Sequence, residues 1–121
     1  MKTNEVKIKG KVYEYSCGLG LMEWLGKELK TDNISEIIEH FMDLDPRNGM
    51  KFEHLPKYAM LVRGAVICGS KNDLGNLKEW CYSNSISAMK VFNSFASKLP
   101  GTGESDKELV GNLEAAQEAA D

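Results

Sequence analysis

Apolar and polar residues alternate at the start of the chain. Val6 and Ile8 are separated by lysines, and a second apolar run follows Gly10. This period of two, rich in β-favouring residues, predicts a β-hairpin. Two registers are open at this point. A two-residue loop ending at Gly10 would pair Val6 with Tyr13, whereas a glycine bulge would turn Val12 inward.

Five later segments carry apolar residues at helical spacing. Apolar positions recur three or four residues apart, which is typical of amphipathic helices. Residues 59–68 are apolar nearly all round, so we expect the third helix to be the most buried one. The apolar stretches of the five helices cover residues 21–29, 34–42, 58–66, 74–81 and 86–99.

Cap and stop residues predict where these helices begin and end. Asn33, followed three residues later by Glu36, predicts a capping box at the second helix. That helix should end near Pro46, because the residue before proline avoids helical geometry. Pro56 suits the first turn of the third helix. The remaining signals are Asn72-Asp73 and Ser85 for the starts of the fourth and fifth helices, and Pro100-Gly101 for the end of the fifth.

The predicted fold is one α+β domain over residues 1–100, made of a hairpin and about five helices, followed by an acidic tail over residues 101–121. The domain carries 14 Lys+Arg against 12 Asp+Glu, and the tail carries 1 against 6. The tail has few large side chains, so we expect it to be mobile unless a partner orders it. Leu109, Val110 and Leu113 are its candidate partner-binding residues.

Cysteine usage and hydropathy favour a cytoplasmic protein without a membrane partner. Cys17, Cys68 and Cys81 are odd in number and widely spaced, which argues against a disulfide framework or a zinc site. We expect them to be reduced and mostly buried. The sequence has no run of about 18 apolar residues, and its first residues lack the apolar stretch of a signal peptide.

Two glycines follow a predicted strand and precede the first predicted helix, which is where a nucleotide-binding turn would have its glycines. After Gly18 and Gly20, a dinucleotide fingerprint needs a third glycine at position 23, where Glu23 would repel a pyrophosphate. A P-loop fails as well, because five residues instead of four separate Gly20 from Gly26, and Glu28 replaces the metal-binding Ser or Thr. We therefore interpret these glycines as an architectural turn.

The other candidate motifs for chemistry are equally incomplete. A calcium loop starting at Asp43 would have Arg47 at the fifth position, Asn48 at the obligatory glycine and His54 at the twelfth. His40 and His54 lack the spacing that puts two ligands on one helix face, and we expect His40 to be solvated. A Cys-His pair formed in space stays open. We predict no catalytic, metal or cofactor site.

Lysines on the predicted hairpin raise the question of a nucleic-acid partner. Lys7, Lys9 and Lys11 alternate along it, but Glu5 and Glu14 lie among them, and the formal net charge is −3. The chain as a whole is acidic, with a pI near 5.4. We therefore expect the lysines to form a solvated face of the hairpin and predict no nucleic-acid partner. A nucleic-acid-binding regulator stays the less favoured alternative.

Large side chains left at the surface would indicate a protein interface. Helical methionines could give adaptable contacts, although Met often only fills gaps in a core. One or two exposed aromatic residues would be a stronger sign. The aromatic residues at core-like spacing are Trp24, Trp80, Phe92 and Phe95, and the helical methionines are Met22, Met42, Met60 and Met89.

The opening of the chain resembles the tail assembly chaperones of long-tailed bacteriophages. The likeness lies in Val-Lys-Ile-Lys-Gly-Lys-Val-Tyr-Glu-Tyr at 6–15, Cys-Gly-Leu-Gly-Leu at 17–21 and Met-Glu-Trp-Leu at 22–25, and the helices extend it to about residue 99. The resemblance implies a non-enzymatic protein that keeps the tape-measure protein soluble and guides tail-tube subunits onto it. It also implies absence from the finished particle, and we expect a chain with this role to self-associate.

No binding residue can be carried over by position from this resemblance, because the family has no fixed site motif. Many of its members are made in two lengths by ribosomal frameshifting, and the tail after Gly101 would be where the products diverge. The alternative is another small phage or mobile-element interaction protein, of the tail-completion or inhibitor type.

Overall fold

A computed structural model describes residues 4–44 and 49–99 of the chain. Within these residues, a two-stranded antiparallel hairpin precedes five α-helices and one 3₁₀ turn. The predicted α+β class and the order of hairpin and helices are therefore confirmed. The elements are β1 (Glu5–Ile8), β2 (Lys11–Glu14), α1 (Leu19–Leu29), α2 (Ile34–His40), the 3₁₀ turn (Phe52–His54), α3 (Leu55–Ser70), α4 (Lys78–Ser83) and α5 (Ser85–Ser97).

Several sequence predictions fall outside the described residues. These are the acidic tail with Leu109, Val110 and Leu113, and the helix stop at Pro100-Gly101. Pro46 also lies outside them, in the segment between residues 44 and 49. For these residues the sequence remains the only source of expectations.

The hairpin closes through a two-residue loop. Lys9 and Gly10 have φ values of 54° and 85°, and positive φ at both positions is typical of the type I′ turn that suits tightly paired strands. Val6 pairs with Tyr13, so the first of the two predicted registers is the correct one. Val6 is buried, whereas Val12 lies on the outer face and is 55% exposed.

α3 is the central helix, as the apolar run at residues 59–68 predicted. It contacts β2, α1, α4, α5 and the 3₁₀ turn, and Pro56 lies in its first turn as expected. Apolar surface removed from water stabilises the fold by about 25 cal/mol per Å². The buried residues of α3 are Leu55, Tyr58, Ala59, Leu61, Val62, Gly64, Ala65 and Val66.

Two glycines of α3 allow its neighbours to come unusually close. A Cβ atom at Gly64 would lie 2.3 Å from the ring of Trp24, and one at Gly69 would lie 2.5 Å from the Cα atom of Tyr15. Real Cβ atoms do not approach other carbons so closely, because packed interiors leave no such overlap. α3 therefore packs directly on α1 at the first glycine and on the end of the hairpin at the second.

Asn33 caps α2, as the sequence predicted. Its Oδ1 accepts hydrogen bonds from the backbone N–H groups of Ser35 at 2.9 Å and Glu36 at 3.3 Å. The reciprocal half of the capping box runs through a third residue. Thr31 Oγ1 accepts from the Asn33 N–H at 3.1 Å and donates to the Glu36 carboxylate. The side chain of the cap residue thus bonds the first turn of α2, and the Glu36 side chain bonds back to the cap through Thr31.

α2 is shorter than predicted, so two residues of its predicted apolar face, Phe41 and Met42, lie beyond the end of the helix. The helix ends at His40, and the following Phe41 turns its ring into the core, edge-on to Phe95 with 5.6 Å between ring centroids. Met42 was expected on the same face but is 70% exposed. Phe41 itself is non-helical, with φ −109° and ψ 6°, so the period of 3.6 no longer applies to the next residue.

α4 begins at Lys78, later than predicted, because Asp73 does not cap it but binds Arg63 of α3. Its carboxylate accepts two hydrogen bonds from Arg63, at 2.8 and 2.9 Å, and one from the Gly75 N–H at 2.9 Å. These bonds hold residues 72–77 in a loop beside α3. The helix starts after Asn76, whose Oδ1 accepts from the backbone N–H two residues later at 2.8 Å.

The start of α5 also differs from its prediction. Ser85 is the first helical residue and not the cap, because only Asn84 separates α5 from α4. The Asn84 side chain donates to the Trp80 carbonyl at 3.0 Å and is thus engaged with α4. Ile86, expected on the apolar face of α5, is 80% exposed.

Candidate protein-binding surfaces

The three cysteines are free thiols, and two of them belong to the core as expected. Cys17 and Cys81 are buried, and burial raises the pKa of each thiol to about 12. Cys68 is half-buried, and the same effect raises its pKa. Because the thiolate is the reactive form, thiols with a raised pKa are poor nucleophiles at neutral pH. These cysteines serve packing and give no support to a nucleophilic role.

A buried histidine is one feature that sequence reasoning missed. His54 is 5% exposed, and its Nε2 lies 3.3 Å from Asp43 Oδ2 and 3.6 Å from Glu53 Oε2. Lys57 Nζ binds Asp43 Oδ1 at 2.9 Å, and this hydrogen bond is the main reason why the pKa of Asp43 is lowered. The group ties the 3₁₀ turn and α3 to the segment after α2.

Two further findings concern histidine and metal chemistry. His40 is less solvated than predicted, since its ring meets Phe41 edge-on with 4.9 Å between centroids. Its partial burial lowers its pKa, and Lys57 lowers it further, while Asp43 acts in the opposite direction. In the part of the chain that the structure describes, no three His, Cys, Asp or Glu side chains are arranged to hold a metal ion.

Neither of the two glycines at the start of α1 has a positive φ. Gly18 is the residue before the helix, with φ −92°, and Gly20 lies inside α1. Positive φ is found in other described glycines, namely Gly10, Gly49 and Gly75. Glu23, which replaces the third glycine of the fingerprint, lines an apolar groove beside α1. The carboxylate is thus close to where a phosphate would have to bind.

Two aromatic rings stack on the surface of the protein. Phe52 and Tyr82 have ring centroids 6.3 Å apart and planes inclined by 23°, and their exposed fractions are 78% and 64%. Exposed aromatic side chains are typical of protein-binding hot spots, because they bury a large area with few rotatable bonds. We call these two residues the aromatic pair.

The neighbours of the aromatic pair hold both rings outward. His54 and Leu55, which follow Phe52, are buried, and so is Trp80, two residues before Tyr82. Each short element is therefore anchored by its other side chains, which leaves the ring at the surface. Positions 52 and 82 are 30 residues apart in the chain. No local pattern predicts that they meet.

An apolar groove of about 730 Å³ lies beside α1 and α2. Met22 and Ile37 are buried at its base, whereas Leu19 and Ile34 are 71% and 49% exposed along it. Leu19 belongs to α1 and Ile34 to α2, so the groove has one exposed aliphatic side chain from each helix. We call it the α1–α2 groove.

Charged residues of both signs line the same groove. They are Glu23, Lys27, Asp32 and Lys98, and their formal charges cancel. A groove of this kind selects an occupant by apolar contact more than by net charge. Lys98 follows directly on α5, so the last described residues of the chain lie at this groove.

Comparison of the chain with models of protein families, with curated proteins and with solved structures found no match. None of the helices within residues 4–44 and 49–99 is both long and apolar enough to cross a membrane. What the chain does is therefore inferred from its own surfaces and from the resemblance carried by residues 6–25.

Proposed function

We propose that this chain is a phage tail assembly chaperone, which binds the tape-measure protein and tail-tube subunits through protein contacts during tail morphogenesis. The observation that carries this proposal is the aromatic pair, Phe52 and Tyr82. The other Phe, Tyr and Trp residues of the chain are buried or half-buried. These two rings are therefore the exposed aromatic surface that another protein can contact.

The physical requirement of the role supports the proposal. A long helical client exposes apolar stripes before assembly, and such stripes associate unless something covers them. Stacked rings of Phe52 and Tyr82 present a rigid apolar surface, and the Tyr82 hydroxyl adds a polar group that can donate or accept. The resemblance of residues 6–25 to tail assembly chaperones supplies the identity of the client.

The test is co-expression of this chain with the tape-measure and tail-tube proteins, with soluble tape-measure protein as the readout. The double variant Phe52→Ser, Tyr82→Ser should lower its soluble amount severalfold, because the apolar contact is lost. The matched control is Val12→Ser, which changes another exposed apolar residue, on the outer face of the hairpin. It should leave the soluble amount unchanged. Circular dichroism should show the same helix content in all three chains.

Two results would contradict this function. If omission of the chain leaves tape-measure solubility and tail formation unchanged, the chain is not the chaperone. If purified virions contain the chain in stoichiometric amounts, it is a structural component of the tail. In either case the aromatic pair would need another partner.

A further inference from the structure

We propose that the α1–α2 groove is a docking site for a segment of this same chain, residues 109–113, which covers the exposed side chains of Leu19 and Ile34. The groove is lined by residues of α1 and α2, whereas the aromatic pair belongs to the 3₁₀ turn and α4. The inference does not rest on the chaperone function. It concerns the covering of exposed apolar side chains by another segment of the same chain.

The groove calls for an apolar occupant. Leu19 is 71% exposed and Ile34 is 49% exposed, although the residues at the base of the groove, Met22 and Ile37, are buried. Two large aliphatic side chains beside a concave apolar base lose contact with water when another apolar segment covers them. The charged residues lining the groove cancel in sign, so they neither attract nor repel such a segment strongly.

The chain leaves the described domain at this groove. Lys98 lines it, and Leu99 is the last described residue, ten positions before Leu109. Ten residues can span at most about 33 to 36 Å. α1 has 11 residues and is therefore about 17 Å long. Leu109 can accordingly reach every part of the groove without displacement of any described element.

The chemistry of residues 100–121 singles out one segment. Its large aliphatic side chains are Leu109, Val110 and Leu113, which lie within five positions of each other. Glu108 and Glu114 flank them directly. The segment thus offers one apolar cluster with a carboxylate on each side, and the groove is lined by two lysines and two carboxylates, from Lys27, Lys98, Glu23 and Asp32. Apolar burial drives the contact, and these charges can orient it.

Tethering favours this occupant over the same segment of a second copy. Three aliphatic side chains make a weak contact between separate molecules, but a short connection to the groove gives an effective concentration in the millimolar range. At micromolar protein the contact within one chain therefore dominates. An apolar segment of another protein has to displace residues 109–113 before it can use the groove.

Disulfide trapping in the full-length chain tests this assignment. Two cysteines are introduced, Ile34→Cys in the groove and Leu109→Cys in the segment, in a chain that also carries Cys68→Ser. Cys17 and Cys81 stay in place, because burial raises the pKa of both thiols to about 12. Under mild oxidation at micromolar protein, intact-mass analysis with and without reductant follows the disulfide within one chain.

The matched control combines Val12→Cys, on the outer face of the hairpin, with Leu109→Cys in the same background. Val12 is 55% exposed, so its accessibility is close to that of Ile34. We expect the groove pair to form the intrachain disulfide at least roughly tenfold faster than the control pair, as tethering into a site predicts. Leu19→Cys with Leu109→Cys provides a second groove position and should behave like the Ile34 pair.

Equal rates for the groove and control pairs would overturn the proposal. A disulfide that joins two chains at the groove position would also overturn it, because the occupant would then be a second copy. Circular dichroism of the reduced variants checks that each is folded. Neither the client proteins nor a phage enters this experiment, so its failure and the failure of the chaperone function are separate results.

Discussion

The surroundings of α3 and the α1–α2 groove are packed in opposite ways. At Gly69 an added Cβ atom would meet the Tyr15 Cα atom at 2.5 Å, whereas beside the groove Leu19 is 71% exposed. α1 takes part in both regions, since it packs on α3 and also lines the groove. An apolar residue on α1 can therefore belong either to the core or to a binding surface. Stability and binding should respond to different substitutions.

The largest expected effect is at the centre of α3. Leu61 is fully buried, and Leu61→Ala should lower the free energy of unfolding by about 2 to 5 kcal/mol, because it leaves a cavity in addition to losing apolar contact. Urea denaturation measures it. Met60→Ala, at the half-buried neighbouring position, is the control and should lose less. Equal losses at the two positions would show that α3 is not packed as described.

Glycine substitutions test how closely the neighbours of α3 pack on it. Gly69→Ala should destabilise by about 1 to 3 kcal/mol, because the atoms in its way belong to the backbone of Glu14 and Tyr15 and cannot rotate aside. Gly64→Ala should also destabilise, because its Cβ atom would lie 2.3 Å from the Trp24 ring and 2.9 Å from Cδ1 of the fully buried Leu21. Gly20→Ala is the control: its Cβ atom would lie 3.8 Å from the nearest atom, so the helix propensity of alanine should stabilise by up to about 1 kcal/mol. Thermal or urea unfolding gives the order, and a stable Gly69→Ala variant would contradict it.

Substitutions at two leucines of α1 distinguish its buried side from its exposed side. Leu25 is fully buried, and Leu25→Ala should lose about 2 to 5 kcal/mol of stability. Leu19→Ala should lose much less, because this side chain is 71% exposed among the described residues and only the proposed contact with residues 109–113 would be weakened. The free energies of unfolding of both variants provide the measurement. A loss at Leu19 as large as the loss at Leu25 would mean that Leu19 is part of the core.

The smallest effect is expected at a surface ion pair beside α3. Hydrogen bonds from Arg63 hold the pKa of Asp73 at about 2 in the folded state, below its ordinary value of 3.8. A carboxyl group with a lowered pKa stabilises the fold above its unfolded pKa and loses this contribution as the pH falls toward 2. Because both groups are at the surface, the contribution to stability should be slight.

An NMR titration of the Asp73 carboxyl group tests this pair. Its midpoint should lie near 2 and should rise toward 3.8 in the Arg63→Met variant, which keeps most of the apolar stem. Asp43, whose pKa is lowered by its hydrogen bond with Lys57, is the control, and its midpoint should not change in that variant. An unchanged Asp73 midpoint would show that the two side chains are not bonded in solution.

Local rules predicted much of the fold because they act within a few residues. Asn33 caps α2 through backbone groups two and three positions away, and Gly10 closes the hairpin with its immediate neighbour. Asp73 and Met42 show where such rules stop. Asp73 is bound by Arg63, ten positions away, and Met42 is exposed because α2 ends before it, where Phe41 packs against α5.

The candidate surfaces were harder to predict than the elements. The sequence raised the prospect of one or two exposed aromatic residues but did not identify Phe52 and Tyr82, which meet only because the 3₁₀ turn and α4 come together. Ile34 was expected on the apolar face of α2, yet half of it is exposed along the groove. The predicted binding residues Leu109, Val110 and Leu113 lie outside the described residues and remain a sequence prediction.

By itself, the sequence determined the kinds of element, their order and the helix that would be central, because hydrophobic periodicity and cap residues act locally. Only the tertiary structure decided which apolar residues stay at the surface. Periodicity tells which side chains share a face of a helix, but a face becomes core only where another element covers it. Leu25 and Leu19 lie on the same helix, and the position of the neighbouring elements buries one and leaves the other exposed.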